Sequence, residues 1–341
     1  MDGVDPGFAQ AKAVARTLAG DAAEISRLVT GGRNSRIWRV RSGERAFALK
    51  QYPARQDDPR DRLSTEVAAL RLMERYRIDV VPRVLGVDGE RGYALLSWID
   101  GEDVKEVGDA DIDAAVAFLS AVHGLRTTPW AAAQPLAAEA CLCGREIERQ
   151  IEERLRRLRV AAADERELIE FIDYSFSPQF SEASGRAGVE VGAAGLDFTA
   201  ELPQEWRSLV PSDFGFHNSL RQRDGSLAFV DFEYFGWDDP VKLTADILLH
   251  PGRTLSKPQR RRFRQAAVLL YGDDPAFARR LVANLPLFGL RWVLILLNEF
   301  IPERWRRRVL AGEAGSWSDA KARQLARARE FLASLSQKVE A

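Results

Sequence analysis

Cysteine and lysine are scarce in this chain of 341 residues, and neither sign of charge is in excess. The two cysteines, Cys141 and Cys143, are too few for a disulfide framework. A C-x-C pair without further cysteines or a nearby histidine is not a metal site either. Lys and Arg total 49 against 50 Asp and Glu, a net charge of −1, so no bulk field draws the chain to nucleic acid or to an anionic membrane. Wholly apolar stretches are short: Trp292–Leu297 stops at Asn298-Glu299, far from the ~20 residues of a membrane span. Met1–Phe8 has no apolar segment behind it that reads as a signal peptide, and the expected location is cytoplasmic. No period of 20–50 residues repeats. Three catalytic signatures are missing: G-x-x-x-x-G-K-[ST], G-x-S-x-G and H-E-x-x-H, which sets aside Walker-type NTPases, α/β-hydrolases and zinc proteases.

What is present is an ordinary globular balance, 46% hydrophobic and 29% charged, at a length that suits two domains or two lobes. Ala9–Ala19 reads as a helix. Ile25–Thr30, Ser35–Arg41 and Arg45–Tyr52 read as strands, the first two separated by Gly31-Gly32 and the last two joined by a turn at Ser42-Gly43-Glu44. Only seven of the 49 basic residues are lysines, and one of them, Lys50, sits inside the apolar third strand. Leu63, Val67, Leu70 and Met73 form one helical stripe. Val84–Val87 and Tyr93–Trp98 are two further strands. Beyond Asp100-Gly101 the pattern turns helical, through Asp111–His123, Arg145–Val160 and the segment from Pro258 onward, whereas the glycine-bearing Ser181–Ala200 reads as a loop. Strands first and helices after predict an α+β fold, with lobes at 1–97 and 98–341 and a hinge near Trp98–Glu102.

The chemistry concentrates in two short segments. Pro211-Ser212-Asp213-Phe214-Gly215-Phe216-His217-Asn218 puts a carboxamide five positions after a carboxylate in a stretch too irregular for helix or strand. Phe229-Val230-Asp231-Phe232-Glu233 is an apolar strand that ends in acids. Together they gather hard oxygen ligands of the kind Mg²⁺ takes along with phosphates and water.

This pair of segments resembles the catalytic and metal-binding loops of the aminoglycoside phosphotransferase and choline kinase group, a branch of the protein-kinase-like fold, and Gly236-Trp237-Asp238-Asp239-Pro240 resembles the continuation found there. The resemblance extends over Ile25–Asp246. It implies a two-lobed fold, with a small antiparallel-sheet lobe that binds nucleotide and a larger helical lobe. It implies ATP and Mg²⁺ as cofactors, and a small hydroxylated molecule as acceptor, with neither nucleic acid nor membrane as partner. Asp213 would accept the proton of the acceptor hydroxyl. Asn218 and Asp231, with Glu233, would hold the metal. Lys50, paired with Glu66, would neutralise the α/β-phosphates, and Gly31, Gly32, Asn34 and Ser35 would lie in the loop over the nucleotide.

Three positions depart from the group's pattern. Pro211-Ser212 replaces His-Gly before the catalytic Asp, His217 replaces Gly before the metal Asn, and Lys242-Leu243 replaces Asp-Leu, which leaves Asp246 as the alternative source of that acid. Taken singly, Lys50 also fits a snorkelling edge-strand lysine, Glu66 a solvated helix acid and Gly31-Gly32 a plain turn. Asn298 and Glu299 suit either an acceptor pocket or packing against a loop. Glu233, Asp238, Asp239 and Glu299 together point toward a cationic or polyhydroxy acceptor. The expected activity is γ-phosphoryl transfer from Mg-ATP to a hydroxyl of a small molecule such as an aminoglycoside. The alternatives are a kinase of a sugar, amino alcohol or other metabolite, and a nucleotide-binding pseudokinase, favoured by Pro211-Ser212, that acts as an interaction module.

Overall fold

The structure is a computed structural model that describes residues 6–27, 35–54, 60–252, 254–310 and 315–339. In chain order its elements are α1 (Pro6–Ala19), β1 (Glu24–Arg27), β2 (Arg36–Ser42), β3 (Arg45–Gln51), α2 (Arg62–Arg75), β4 (Val84–Asp88), β5 (Tyr93–Ser97), β6 (Gly101–Asp103), α3 (Asp109–Gly124), α4 (Gly144–Ala161), α5 (Arg166–Phe171), α6 (Ser177–Ala193), β7 (Ser208–Val210), β8 (Ser219–Gln222), β9 (Leu227–Phe229), β10 (Gly236–Asp238), α7 (Pro240–Leu249), α8 (Lys257–Leu270), α9 (Phe277–Leu296), α10 (Pro302–Leu310), α11 (Trp317–Ala333) and α12 (Leu335–Val339). They divide into two compact units. The first is residues 1–104, 121–138 and 211–236; the second is 105–120, 139–210 and 237–341. A single break after residue 97 is therefore not what the chain shows: the segment bearing Asp213 and Asp231 belongs to the same unit as the strands that precede residue 97.

In the first unit an antiparallel sheet runs in the order β1-β2-β3-β5-β4. Successive strand residues point to opposite faces. Leu49 lies opposite Trp38 and Leu95, and these three side chains pack with Val40 and Tyr93 against Ala11, Val14 and Ala15 of α1. Lys50, one residue on, faces the other way, toward α2. That helix is capped by Asp61, whose carboxylate accepts from the Ser64 N–H at 3.1 Å, a side-chain cap on an otherwise orphaned donor. Its buried face carries Arg62 and Glu66 one turn apart, along with Val67, Leu70 and Met73. The expected hinge residues Gly101–Glu102 instead open β6, which pairs with β8 in the sheet β6-β8-β9. A β-carbon on Gly101 would come within 2.9 Å of the Arg221 carbonyl oxygen, so glycine there permits the close strand approach.

The second unit is mostly helical. Ser181–Ala200, expected to be a loop, lies largely within α6, which is entered through a five-residue π-helical turn, Ile172–Phe176. Its glycines at 185, 188 and 192 meet nothing where a side chain would project; they reflect composition, not a break in the helix. α9 with the 3₁₀ turn after it, Phe277–Phe300, is long and apolar enough by composition to cross a membrane, a feature masked in sequence by Arg291 and Asn298. Its most apolar window is 72% buried within the structure, as befits a core helix. Arg291 is buried with it and holds Asp246 through two bonds of 3.0 Å.

Candidate active site

The first unit brings Lys50 of β3, Glu66 of α2 and the 231–233 segment to one point. Lys50 Nζ donates to Glu66 Oε2 and to Asp231 Oδ1, each at 2.6 Å, and lies 3.5 Å from Glu233 Oε2. Two features of the fold make this meeting possible. The strand pleat turns Lys50 away from the α1 core, and β9 delivers residue 231 after pairing with β8 in the register Ser219–Phe229. The pairing continues one residue further as the Val230 N–H donates to the Asn218 carbonyl at 3.0 Å, which sets Asn218 beside the residue preceding Asp231. Glu66 also accepts from the Phe232 N–H (3.2 Å) and the Tyr52 hydroxyl (2.8 Å), so α2 is bonded to the strand end and not merely packed near it.

Burial and charge compete at this cluster. Burial by itself would depress the Lys50 ammonium, but Asp231, Glu66 and the other neighbouring groups raise it well above the ordinary lysine range, and it stays charged. Asp231 is pushed up to about 7 by burial, with Lys50 pulling down and Glu233 and Glu66 pushing further up. Burial, and then the charge of Glu66, push the Tyr52 phenol upward as well, which keeps it a hydrogen-bond donor. Asp231 sits at φ 73°, a left-handed conformation that costs a non-glycine residue about 1–2 kcal/mol and is tolerated where the surroundings enforce it.

Asp213 lies on the loop that leads into β8. Asn218 Nδ2 donates to the Asp213 carbonyl at 2.8 Å, the Asn218 N–H bonds the Gly215 carbonyl at 3.0 Å, and His217 Nε2 lies 3.1 Å from Asp213 Oδ1. The carboxylate itself remains 41% exposed. Ser212, which stands where the resembled group has glycine, adopts φ 66°. That is a left-handed conformation of the kind glycine adopts most readily.

The other expected site residues divide. Gly31, Gly32 and Asn34 lie outside the described residues. Ser35 donates to Glu233 Oε2 at 3.0 Å. Glu233, expected to join the metal ligands, has its other oxygen on Arg62 Nη1 at 2.6 Å, so both ends of this buried carboxylate are engaged by the protein. Arg62 went unnoticed in the sequence; its signal was a basic residue four positions before Glu66 on the apolar face of α2. The acids that hinted at a cationic acceptor are likewise answered. In the second unit Asp238 pairs with Lys242 at 3.0 Å; Asp239 caps α7 and pairs with Arg280; Glu299 pairs with Arg308. Lys242 also lies 3.8 Å from Asp246, so the Lys-for-Asp departure is met by two acids, Asp238 at the end of β10 and Asp246 one turn further along α7.

Residues 25–283 match the Phosphotransferase enzyme family (APH). The chain belongs to that family. Among solved structures it is similar to choline kinase from Cryptosporidium parvum Iowa II (10% identity, 98% of this chain and 97% of that one, TM-score 0.60). It is similar also to the choline kinase LicA of Streptococcus pneumoniae (16%, 96% and 99%, TM-score 0.55) and to aminoglycoside phosphotransferase APH(4)-Ia (15%, 96% and 99%, TM-score 0.52). No curated protein matches the chain. The fold of this phosphotransferase is accordingly protein-kinase-like, and the enzyme is a small-molecule kinase that moves a phosphoryl group to a hydroxyl. The pseudokinase alternative is not favoured.

Proposed function

We propose that this phosphotransferase uses Mg-ATP and transfers the γ-phosphoryl group to a small-molecule hydroxyl, with Asp213 as the base. The observation that carries the reading is the convergence on Lys50 of Glu66 and Asp231, the latter 181 positions away in sequence. That is the arrangement needed to place one cation against phosphate oxygens and a metal-binding carboxylate next to it. Lys50 would exchange its contact with Asp231 for the α/β-phosphates while Glu66, fixed by Tyr52 and the Phe232 N–H, keeps the ammonium in place.

The donor set fits a hard divalent cation. Among the described residues Asn218 spends its amide nitrogen on the Asp213 carbonyl and has its oxygen left over, and Asp231 has Oδ1 on Lys50 and its second oxygen left over. A carboxylate and a carboxamide oxygen, with waters and phosphates completing the shell, is magnesium chemistry. Asn218 and Asp231 would hold the ion, and Glu233, engaged by Arg62 and Ser35, would not. When bound, the ion draws negative charge off the phosphate oxygens. Asp213 meanwhile accepts the proton of the acceptor hydroxyl as the oxygen attacks. Little else is required of the protein, since phosphoryl transfer is governed by positioning and charge. Solved structures of LicA with AMP and of APH(4)-Ia with AMP-PNP and hygromycin B support a nucleotide and a hydroxylated small molecule as the two substrates.

The test is a panel of sugars, amino alcohols, other hydroxylated metabolites and aminoglycosides incubated with labelled ATP and read for phosphorylated product. Asp213→Asn should cut turnover by about 10²–10⁴-fold, the range for a general base, with nucleotide affinity unchanged. Asp231→Ala should abolish the magnesium-dependent part of the thermal stabilisation by ATP. Transfer that persists in Asp213→Asn would show that the base is another group.

A further inference from the structure

We propose that the second unit holds a binding site for a small neutral ring compound bearing an amide or lactam group, built around the carboxamide of Asn284 on α9. Asn284 is 5% exposed, yet its Oδ1 accepts no hydrogen bond among the described residues. Leaving a buried polar group unpaired is unfavourable, and native structures rarely do so. Nothing in the helix asks for this residue. Asparagine is a weaker helix former than leucine, and leucine would occupy the same position with no polar atom to satisfy. One turn earlier, Arg280 gives its two terminal nitrogens to Asp239 and Asp274, and its Nε is also without a partner among the described residues.

Both residues line a cavity of about 240 Å³. Arg280, Asn284 and Phe288 follow one another at intervals of four, so a single stripe of α9 supplies a guanidinium, a carboxamide and a phenyl ring. The other walls are apolar: Leu142 and Ile147 at the start of α4, Val191 of α6, and Phe198 and Trp206 from the segment that joins α6 to β7. That segment is tied down. The Leu202 N–H donates to the Leu142 carbonyl at 2.7 Å and the Arg145 N–H to the Phe198 carbonyl at 3.2 Å. Glycine at 144 lets the Phe198 ring lie against the first turn of α4, where a β-carbon would overlap it. The walls are thus set in advance, as is usual for small-molecule sites, and the rim includes the exposed Gly195, Asp197 and Glu201.

Size, lining and charge define the occupant. A cavity of about 150 Å³ takes benzene, so this one has room for a ring with an added group, and its aromatic walls suit the faces and edges of such a ring. A carboxamide offers an acceptor and a donor side by side, and the group that answers both at once is another amide, a lactam included. An anionic group is disfavoured. The charge of Arg280 is already met by Asp239 and Asp274, and Asp197 adds a negative charge at the mouth. The site lies wholly within the second unit, and the proposal does not depend on the reading of Asp213 as the base.

The experiment titrates the whole chain with benzamide, N,N-dimethylbenzamide, benzoate and toluene. Thermal stabilisation gives the affinity, and intrinsic fluorescence, to which Trp206 contributes from the cavity wall, gives the location. Benzamide should bind at least about tenfold more tightly than the dimethyl compound, which cannot donate, and than benzoate; that factor corresponds to one lost hydrogen bond. Trp206→Phe should remove the fluorescence change. Asn284→Leu should be as stable as wild type or more so without ligand, because it removes an unpaired polar group, and should erase the preference for benzamide over toluene. Benzoate bound as tightly as benzamide would overturn the proposal, as would a fluorescence change that persists in full in Trp206→Phe. An Asn284→Leu protein less stable than wild type would show that the carboxamide serves the fold, and no response of wild type to any probe at millimolar concentration would show that it serves no ligand of this class; either result overturns the proposal.

Discussion

Each unit buries one lysine among carboxylates, and the two surroundings differ in a way that separates function from scaffolding. Among the described residues Lys50, with Arg62, faces Glu66, Asp231 and Glu233, two cations to three carboxylates. Lys242, with Arg291, faces Asp238 and Asp246, two to two. The second cluster is sealed: the side chains of Lys242, Asp238 and Asp246 are 2%, 0% and 8% exposed. It is also tied to the backbone, since Asp238 Oδ1 accepts from the Cys141 and Asp239 N–H groups at 2.8 Å each. In the first cluster Asp231 is 27% exposed and its second oxygen is spare among the described residues. Burial and a raised lysine pKa occur in both, so neither marks a reactive site. A surplus negative charge at the solvent edge does, because it suits an added cation.

The sharpest way to break this contrast is to remove each lysine. Lys50→Met should reduce turnover about 10²–10³-fold, the scale for loss of one group that stabilises transition-state charge, and should cost less stability than its counterpart, because Asp231 lies at the solvent edge and, already pushed upward, can take up a proton. Lys242→Met strands Asp238 in a fully buried position, and breaking such a pair costs about 3–5 kcal/mol. Chemical denaturation should show that loss, while turnover per folded molecule stays within about twofold. A Lys242 variant that unfolds no more readily than wild type would mean that the sealed cluster is held by its backbone donors alone.

Of this contrast, the first half was legible in the sequence and the second was not. Lys50 stood out because lysine is rare here and the strand around it is apolar, and Asp213, Asn218 and Asp231 carry their meaning in local spacing. Strand and helix periodicity placed β2, β3, α2, β4 and β5 to within a few residues. What failed needed long-range pairing. Nothing near Glu233 in sequence announces Arg62, which is 171 positions away, so the pairing that engages this carboxylate could not be read from local spacing. Asp238, Asp239 and Glu299 read as potential acceptor contacts because their partners Lys242, Arg280 and Arg308 are identified only by helix packing. α6 was mistaken for a loop because glycine weighs against a helix locally, whereas burial of Ala187 and Val191 outweighs it.

Glu233 gives the next test, smaller in effect. Glu233→Gln keeps the shape but removes the charge opposite Arg62, and weakening a buried charge-assisted bond of this kind costs about 1–3 kcal/mol. Because Glu233 is spoken for by Arg62 and Ser35, the magnesium concentration that half-saturates ATP binding should move by less than about threefold, whereas Asp231→Ala removes metal dependence altogether. A magnesium requirement that rises as steeply in Glu233→Gln as in Asp231→Ala would place Glu233 among the ligands and would mean that Arg62 releases it when nucleotide binds.

Tyr52→Phe probes the same cluster most gently. The hydroxyl donates to Glu66 Oε2, the oxygen that also receives Lys50, and it is buried, so no water takes its place directly. Glu66 nevertheless keeps Lys50 on Oε2 and the Phe232 N–H on Oε1, and the phenyl ring keeps its packing. The variant should lose about 1–2 kcal/mol, within the range for a hydrogen bond to a charged group, and its kcat should fall by less than about fivefold. The direction of the kinetic change is informative. If Tyr52 only anchors Glu66, the loss appears as weaker ATP binding, since a looser Glu66 lets Lys50 drift from the phosphates; a fall in kcat at unchanged KM would show that the hydroxyl sharpens the placement of Lys50 in the transition state itself.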